Sequence, residues 1–458
     1  MNRIRRLLNT ADIVARGRVE RLIPFWPIEW IEGLQRYRLR SIVRHAYNTV
    51  PFYREAMDER GLRPKDFQIV EDLSRLPLID SKTVRDNTEG FLSTYHTEDS
   101  WQASYSSGCT SGARRVIYWD NACVLRKLAC HERDRVVFRN LVGQRASHRH
   151  MHISTTGSAY VEMRPLWEAS TFISRNPHHH HDVSADEPFE FVAEHINAVR
   201  PHVVSSYGSY AEHFFRFLAD RQLSIAAPRV WIHGADLLSP SGRDLIENTF
   251  GCPTYSTYGA TETERLGFQC ERRQGFHLNV DLCEVRLVDE ESEDVEPGES
   301  GEVVTSNLHN QATVLLNYRL GDNAVMASEP CSCGRTLPLL ERLEGRVSEM
   351  LYLPDGRSIS RLTLEELYYD ELKPTLQFQV VCAACGQMRW RIVPFSGADR
   401  DALRRHLLEK CRAVIGKDIQ AAVEFVENIP TSPNGKFIHV VSQPAGPYGP
   451  KSIMGQEG

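Results

Sequence analysis

The chain has 458 residues and a mass of 52.3 kDa, too long for one ordinary core, so two or three domains are expected. Apolar residues make up 41% and charged residues 25%, which excludes a fully disordered or collagen-like chain. A net charge of −6, with pI near 6.3, excludes a nucleic-acid binder that relies on global positive charge, and no stretch approaches the roughly 20 apolar residues of a membrane span.

From the amino terminus, Met1-Asn2-Arg3-Ile4-Arg5-Arg6-Leu7-Leu8 is basic and amphipathic but lacks the continuous apolar run of a secretory signal. It reads as a surface helix in preference to a transit peptide, with a membrane-surface contact through Arg3, Arg5, Arg6 and Arg16 as a third reading. Ile31, Leu34, Tyr37, Ile42 and Ala46 predict a helix over 30–50, broken by Pro51. Arg75 to Asp80 reads as an extended link, with Ser81 capping a following helix.

Val203-Val204-Ser205-Ser206-Tyr207 and Val230-Trp231-Ile232-His233-Gly234 read as buried strands around a helix over 211–223, with another helix over 241–250. This alternation predicts βαβ units and a partly parallel sheet, in which ligands bind beyond the carboxyl ends of the strands. Further strands are predicted at 283–288 and 301–305. After Gly345 the pattern restarts, with strands near 375–382 and 388–393, a helix near 398–414 and a strand near 420–426. The expected fold is α/β: a large N-terminal domain of mixed sheets packed with helices over 1–345, and a small C-terminal α+β domain over 346–458.

Five short segments carry candidate chemistry. Ser104-Tyr105-Ser106-Ser107-Gly108-Cys109-Thr110-Ser111-Gly112 is small and hydroxyl-rich, suited to an anion nest for a triphosphate, although such loops are also common surface turns. It lacks the Gly-Lys-Ser/Thr ending of a Walker loop. Arg114 and Arg115 follow it. Further on come Tyr258-Gly259-Ala260-Thr261-Glu262 and Tyr318-Arg319-Leu320-Gly321-Asp322, each placed after a strand. Gly345-Arg346-Val347-Ser348-Glu349 falls at the domain junction, and Pro430-Thr431-Ser432-Pro433-Asn434-Gly435-Lys436 ends the small domain. Each alone reads as an ordinary turn; their joint order is harder to obtain by chance.

In that order the segments resemble the adenylate-forming superfamily of acyl-CoA synthetases, and within it the phenylacetate–CoA ligase and CapK-like branch. The branch is indicated by Arg44-His45-Ala46-Tyr47-Asn48-Thr49-Val50-Pro51-Phe52-Tyr53-Arg54, by Leu76-Pro77-Leu78 and by Cys331-Ser332-Cys333-Gly334-Arg335. The resemblance covers about residues 30 to 440. It implies that Ser107, Gly108, Thr110, Ser111 and Gly112 bind phosphate, with Cys109 and Arg114 departing from the usual Thr-Ser-Gly-Thr-Thr-Gly-x-Pro pattern. It places Tyr258 and Gly259 beside the adenine, Thr261 at the α-phosphate and Glu262 on Mg²⁺. Gly234, Ala235 and Asp236 would line the other adenine face, and Asp322 would accept from both ribose hydroxyls. Arg346 and Glu349 would mark the hinge, and Lys436 would be the catalytic lysine.

The implied activity is ATP-dependent activation of a carboxylic acid as an acyl-adenylate, then transfer to the thiol of coenzyme A as cosubstrate. Two other readings stand beside it: transfer to a carrier-protein thiol or an amine, and a non-catalytic nucleotide-binding relative. Tyr207, Tyr210 and His233 are the candidate acid pocket; Tyr207, Tyr210, Trp231 and Tyr255 would suit an aromatic or cyclic acid, although aromatics also fill cores. No nucleic acid and no membrane span are expected as partners; a homodimer is admitted.

The 11 cysteines are an odd number and poor arithmetic for a secreted disulfide scaffold, so a reducing cytoplasm is expected. Cys270, His277, Cys331 and Cys333 supply three thiolates and one imidazole, the donor set of a tetrahedral structural zinc site, with buried reduced cysteines as the alternative. The resemblance supports zinc, since relatives share a similar arrangement. Cys382-Ala-Ala-Cys385 is expected at a hairpin end. The runs His178 to His181 and His148, His150 and His152 are assigned no role.

Overall fold

A computed structural model describes residues 3–95, 100–105, 115–143, 148–155, 159–173, 180–353, 357–382, 387–416, 420–431 and 437–442. Helices open the chain. Helix Arg3–Glu20 is followed by helix Ile28–Thr49, whose buried positions Ile31, Gln35, Leu39, Ile42, Val43 and Ala46 recur every three or four residues. Pro51 follows the end of that helix at Thr49, as the sequence predicts. It opens the next helix, Pro51–Glu59, at a first-turn position where a missing N–H has no intrahelical partner to lose. The cap of helix Ser81–Asp86 is Asp80 and not Ser81: its carboxylate accepts from Thr83 N at 2.7 Å.

Strands β1 (Trp101–Tyr105) and β2 (Val116–Asp120) pair antiparallel on either side of the Ser/Gly segment. Eleven strands then form one mixed sheet. In chain order they are β3 (His150–Ser154), β4 (His180–Ser184), β5 (Val203–Tyr207), β6 (Val230–Gly234), β7 (Thr254–Ala260), β8 (Glu264–Phe268), β9 (Phe276–Leu278), β10 (Cys283–Val288), β11 (Ser300–Asn307), β12 (Tyr318–Met326) and β13 (Leu339–Arg346). Their spatial order is β10-β11-β12-β13-β9-β8-β7-β6-β5-β3-β4. Pairing is parallel from β4 to β7 and antiparallel beyond β7.

Helices Phe189–Val199 and Gly208–Asp220 cover one face of the parallel part, where Ile196, Phe214 and Phe215 pack with Met151, Val204 and Trp231. Helix Arg135–Val142 brings Val137 and Val142 to a second cluster with Val203, Val230 and Tyr255. The two strands are buried on both sides, which is why they read as unbroken apolar runs. The predicted helix over 211–223 begins earlier, at Gly208, and the one over 241–250 is a short α-turn, Pro240–Asp244, continued by a wider π-turn, Leu245–Thr249. Tyr258 to Ala260 and Tyr318 to Asp322 belong to β7 and β12 themselves instead of following strands.

Beyond Arg346 come the short ribbon β14 (Leu351–Tyr352) and β15 (Ser358–Ile359), then β16 (Thr375–Cys382), β17 (Gln387–Pro394), β18 (Gln420–Phe425) and β19 (Val440–Ser442). The last four form a separate sheet in the order β18-β17-β16-β19. Helix Arg400–Val414 contributes Leu403 and Leu407 to a cluster with Tyr368, Phe378 and Trp390. This is the α/β fold with a small α+β C-terminal part that the sequence predicts. The small sheet rests on helix Gly208–Asp220 through a buried polar seam. Arg216, 3% exposed, donates to the carbonyls of Leu372 at 3.0 Å and Thr375 at 2.9 Å, and to Ser241 Oγ at 2.7 Å. Glu212 answers its charge from one turn back, at 2.8 Å.

Candidate active site

The carboxyl ends of β5, β6 and β7 converge on one set of turns. Gly208, just past β5, is required by packing: a Cβ there would lie 2.7 Å from the Leu237 carbonyl carbon and 2.8 Å from Leu238 N. Ala235 takes the left-handed conformation, φ +66°, which turns the chain out of β6. Asp236 accepts from the Gly208 N–H and the Ser209 hydroxyl, and from Ser209 N at 3.1 Å. Its carboxylate therefore holds the N-terminus of helix Gly208–Asp220, where the helix dipole favours a negative group. The side chain expected at the adenine is engaged structurally, and it fixes the backbone of Gly234 to Asp236.

Tyr258 on β7 is 4% exposed and donates to Asp322 Oδ2 on β12 at 2.9 Å. Burial first, and then the Asp322 carboxylate, push the Tyr258 phenol well above its ordinary pKa, so it remains a donor. Asp322 is cross-strand partner to Arg346 of β13, whose Nε lies 2.9 Å from Asp322 Oδ1. Three of the sequence-predicted residues, from three separate segments, are thus in direct contact.

A second carboxylate sits beside them. Glu262, 6% exposed, lies 2.8 Å from Arg115 Nη2 and accepts from Tyr318 Oη at 3.3 Å. Arg115 also donates to Tyr318 Oη. Gly259 is half-buried in β7, and Thr261 is half-buried in the β7–β8 turn. The phosphate-loop residues Ser107, Gly108, Cys109, Thr110, Ser111, Gly112 and Arg114 lie outside the described residues, as does Lys436. What is described is their chain neighbours. Arg115, after the loop, reaches Glu262, and Phe437, after Lys436, meets His213 edge-on with centroids 4.6 Å apart. Glu349 lies 3.8 Å from Arg361, which also holds Glu365 at 2.9 Å.

The candidate acid pocket divides by environment. Tyr207 shares a hydrogen bond with Thr155 Oγ1 at 3.1 Å. Tyr210 Oη and both His233 ring nitrogens are buried with no hydrogen-bond partner among the described residues. Burial, with Arg243 nearby, pushes His233 down to about 3, so the ring is neutral. Trp231 and Tyr255 are core residues: Trp231 is fully buried between Phe214 and Phe215, and Tyr255 donates to Asp134 Oδ2 at 3.1 Å. These two aromatics therefore lose their place in the case for an aromatic acid.

The structure brings the four predicted metal ligands together. Cys270 Sγ lies 3.7 Å from Cys331 Sγ, and Cys333 Sγ lies 3.2 Å from His277 Nε2. One donor atom from each of the four falls within 4.8 Å of the others. Two thiolates at about 2.3 Å from a tetrahedral centre stand about 3.8 Å apart, so the donor spacing fits zinc. His277 Nδ1 lies 3.3 Å from the Leu337 carbonyl, which orients the ring with Nε2 toward the cysteines. Burial alone would raise the Cys333 thiol, yet hydrogen bonds from the Arg335 backbone and side chain hold it below its ordinary value. Burial pushes Cys270 up to about 12 in the absence of an ion.

Two contributors went unassigned in the sequence. Tyr318 is the first residue of the Tyr-Arg-Leu-Gly-Asp segment and was available to be read with it. Arg216 carries no sequence signal, because a charged residue on a helix ordinarily marks the solvent face.

Comparison with known proteins is consistent with this geometry. Residues 351–443 match the CapK C-terminal domain. A phenylacetate-coenzyme A ligase of Thermus thermophilus is 28% identical over 344 residues, covering 71% of this chain and 73% of that protein. The protein CapK of Staphylococcus aureus is 20% identical over 415 residues, 88% of this chain and 87% of that one. The fold matches a 2-hydroxyisobutyryl-CoA ligase in its post-adenylation state with a TM-score of 0.74, at 16% identity and over 91% and 90% of the two chains. The chain is thus similar in sequence to phenylacetate-coenzyme A ligases and CapK, and its fold is that of an adenylate-forming CoA ligase.

Proposed function

We propose that this protein is an ATP-dependent, AMP-forming ligase that activates a carboxylic acid as its acyl-adenylate and passes the acyl group to the thiol of coenzyme A. The observation that carries the reading is the contact of Tyr258, Asp322 and Arg346 with Glu262 alongside, because four motif residues from three separate segments meet at one place. Asp322 accepts from the ribose hydroxyls, and Tyr258 and Gly234 to Asp236 border the adenine. In the first step the acid's carboxylate oxygen attacks the α-phosphorus and pyrophosphate leaves. In the second the thiol attacks the acyl carbonyl and AMP leaves.

Charge builds on the phosphoryl oxygens in the first step, and Mg²⁺ bound with ATP would neutralise part of it. Glu262, whose carboxylate is paired with Arg115, is the residue suited to hold that ion. By the family pattern, Thr261 would contact the same phosphate and Lys436 would supply positive charge to it. We assign residues 1–345 to nucleotide and acid binding and 346–458 to a mobile domain that delivers Lys436 and then withdraws it, with Arg346 and Glu349 at the hinge. Cys270, His277, Cys331 and Cys333 would hold a zinc ion, which would tie together the segments following Tyr258 and Asp322.

Acid-dependent ATP–pyrophosphate exchange tests the first step, screened across aliphatic, aromatic and amino acids. Exchange with at least one acid, abolished in Lys436→Ala, is expected. Absence of exchange across the panel, or an unchanged rate in Lys436→Ala, overturns the adenylation reading. Thioester formation on adding coenzyme A checks the acceptor; exchange without thioester would move the acceptor to a carrier-protein thiol or an amine.

A further inference from the structure

Helix Arg3–Glu20 has two unlike faces. One is bound to the body of the protein. Arg6 donates to the carbonyls of Thr171 at 2.7 Å and Glu168 at 3.0 Å, and Asn9 donates to that of Ser170 at 3.0 Å. Ile13 is buried, Gly17 sits against Glu132, and Glu20 lies 2.6 Å from Arg133. These residues recur at the three- and four-residue spacing of one helical side.

The opposite side is apolar and uncovered. Ile4 is 66% exposed, Leu7 62%, Leu8 64%, Val14 50% and Val19 46%, with Leu22 at 54% just past the helix end. Ala11 and Ala15, also exposed, fill the gaps of the same stripe. At 1.5 Å per residue this face runs about 27 Å. Exposed arginines surround it: Arg3 and Arg21 on one border, Arg5 and Arg16 on the other, and Arg18 within it. Six arginines at 3, 5, 6, 16, 18 and 21, against Asp12 and Glu20, leave this segment at net +4 in a chain of net −6.

We propose that this face lies on an anionic lipid bilayer, with the apolar stripe in the interface and the arginine borders on the headgroups. An apolar stripe bordered by long cationic side chains is the arrangement an interfacial helix needs, since arginine stems lie along apolar surface while the charge reaches the headgroups. Charge complementarity selects the occupant. A second copy docked isologously would set this arginine-rich surface against itself, whereas an anionic membrane surface attracts it. No helix among the described residues is long and apolar enough to cross a membrane, so the contact is peripheral. The inference does not depend on the catalytic reading.

The test is sedimentation of the full chain with vesicles of phosphatidylcholine containing about 30% phosphatidylglycerol, and with vesicles of phosphatidylcholine alone. The wild type is expected to sediment with the anionic vesicles at least roughly tenfold more strongly than with neutral ones, and to release as salt rises. Leu7→Ser/Leu8→Ser/Val14→Ser is expected to lose at least about tenfold of that binding while keeping the wild-type circular dichroism spectrum, because all three side chains are exposed. Arg3→Gln/Arg5→Gln/Arg18→Gln is expected to abolish the preference for anionic vesicles. Failure to bind anionic vesicles, equal binding to both, or an unaffected triple-serine variant each overturns the proposal. So does a concentration-dependent dimer, seen by analytical ultracentrifugation, that the triple-serine substitution dissolves.

Discussion

Asp322 Oδ1 and Arg346 Nε stand 2.9 Å apart across the β12–β13 pair, and Tyr258 closes on the other carboxylate oxygen at 2.9 Å. The carboxylate is therefore oriented from both sides before any ligand arrives. If it accepts from the ribose, neutralising it removes charge-assisted hydrogen bonds of about 1.5–3 kcal/mol. Asp322→Asn is expected to raise the KM for ATP in pyrophosphate exchange about ten- to hundredfold. An unchanged KM would remove Asp322 from the nucleotide site.

Arg216 offers a separate measurement, on stability. Burial alone would raise the Glu212 carboxyl, and Arg216 and the Ser239 hydroxyl hold it below its ordinary range. Truncating Arg216 strands a buried carboxylate and leaves the carbonyls of Leu372 and Thr375 without their donor. Arg216→Ala is expected to cost about 3–5 kcal/mol in urea unfolding, and Arg216→Met/Glu212→Leu is expected to recover most of it. Equal destabilisation by the single and double variants would contradict the pairing.

These two cases mark what the sequence could and could not say. Val203 to Tyr207 and Val230 to Gly234 were legible because parallel strands buried on both faces write themselves as unbroken apolar runs. Tyr258, Glu262, Asp322 and Arg346 were legible as ordered short segments, even though Tyr258 and Asp322 lie within strands and not in the turns expected for them. Pro51 was legible as the break after the helix ending at Thr49, but its second use, as the first residue of the next helix, was not, because proline also favours a helix start and the two uses look alike in sequence. Arg115 with Glu262, and Arg216 with the Thr375 carbonyl, were not legible as pairs. They lie 147 and 159 residues apart, and periodicity reports which side of an element is buried without naming its partner.

The cysteine cluster makes its prediction through the metal. Purified protein is expected to carry about one zinc per chain by elemental analysis. Cys331→Ser, or prolonged chelation, is expected to remove the metal and lower the melting midpoint by about 5–10 °C, corresponding to a few kcal/mol for a domain of this size. Zinc-free protein with reactive thiols at Cys270, Cys331 and Cys333 would show instead a set of buried reduced cysteines.

Glu284 carries the pH prediction. It lies on the edge strand β10, 7% exposed, and burial pushes its carboxyl from 4.5 up to about 8, only partly opposed by Arg286. With the folded pKa above the unfolded one, the folded chain binds the extra proton between those values. The stabilising contribution is fully present below about pH 4.5, declines as pH rises toward 8, and is gone above it. Glutamine removes the titration while keeping the shape. Glu284→Gln should match the wild type near pH 4.5 and exceed it by about 3–5 kcal/mol at pH 8.5, read from urea unfolding at both values. A difference that stays constant with pH would mean that Glu284 is ionised throughout, its charge compensated in the fold by Arg286.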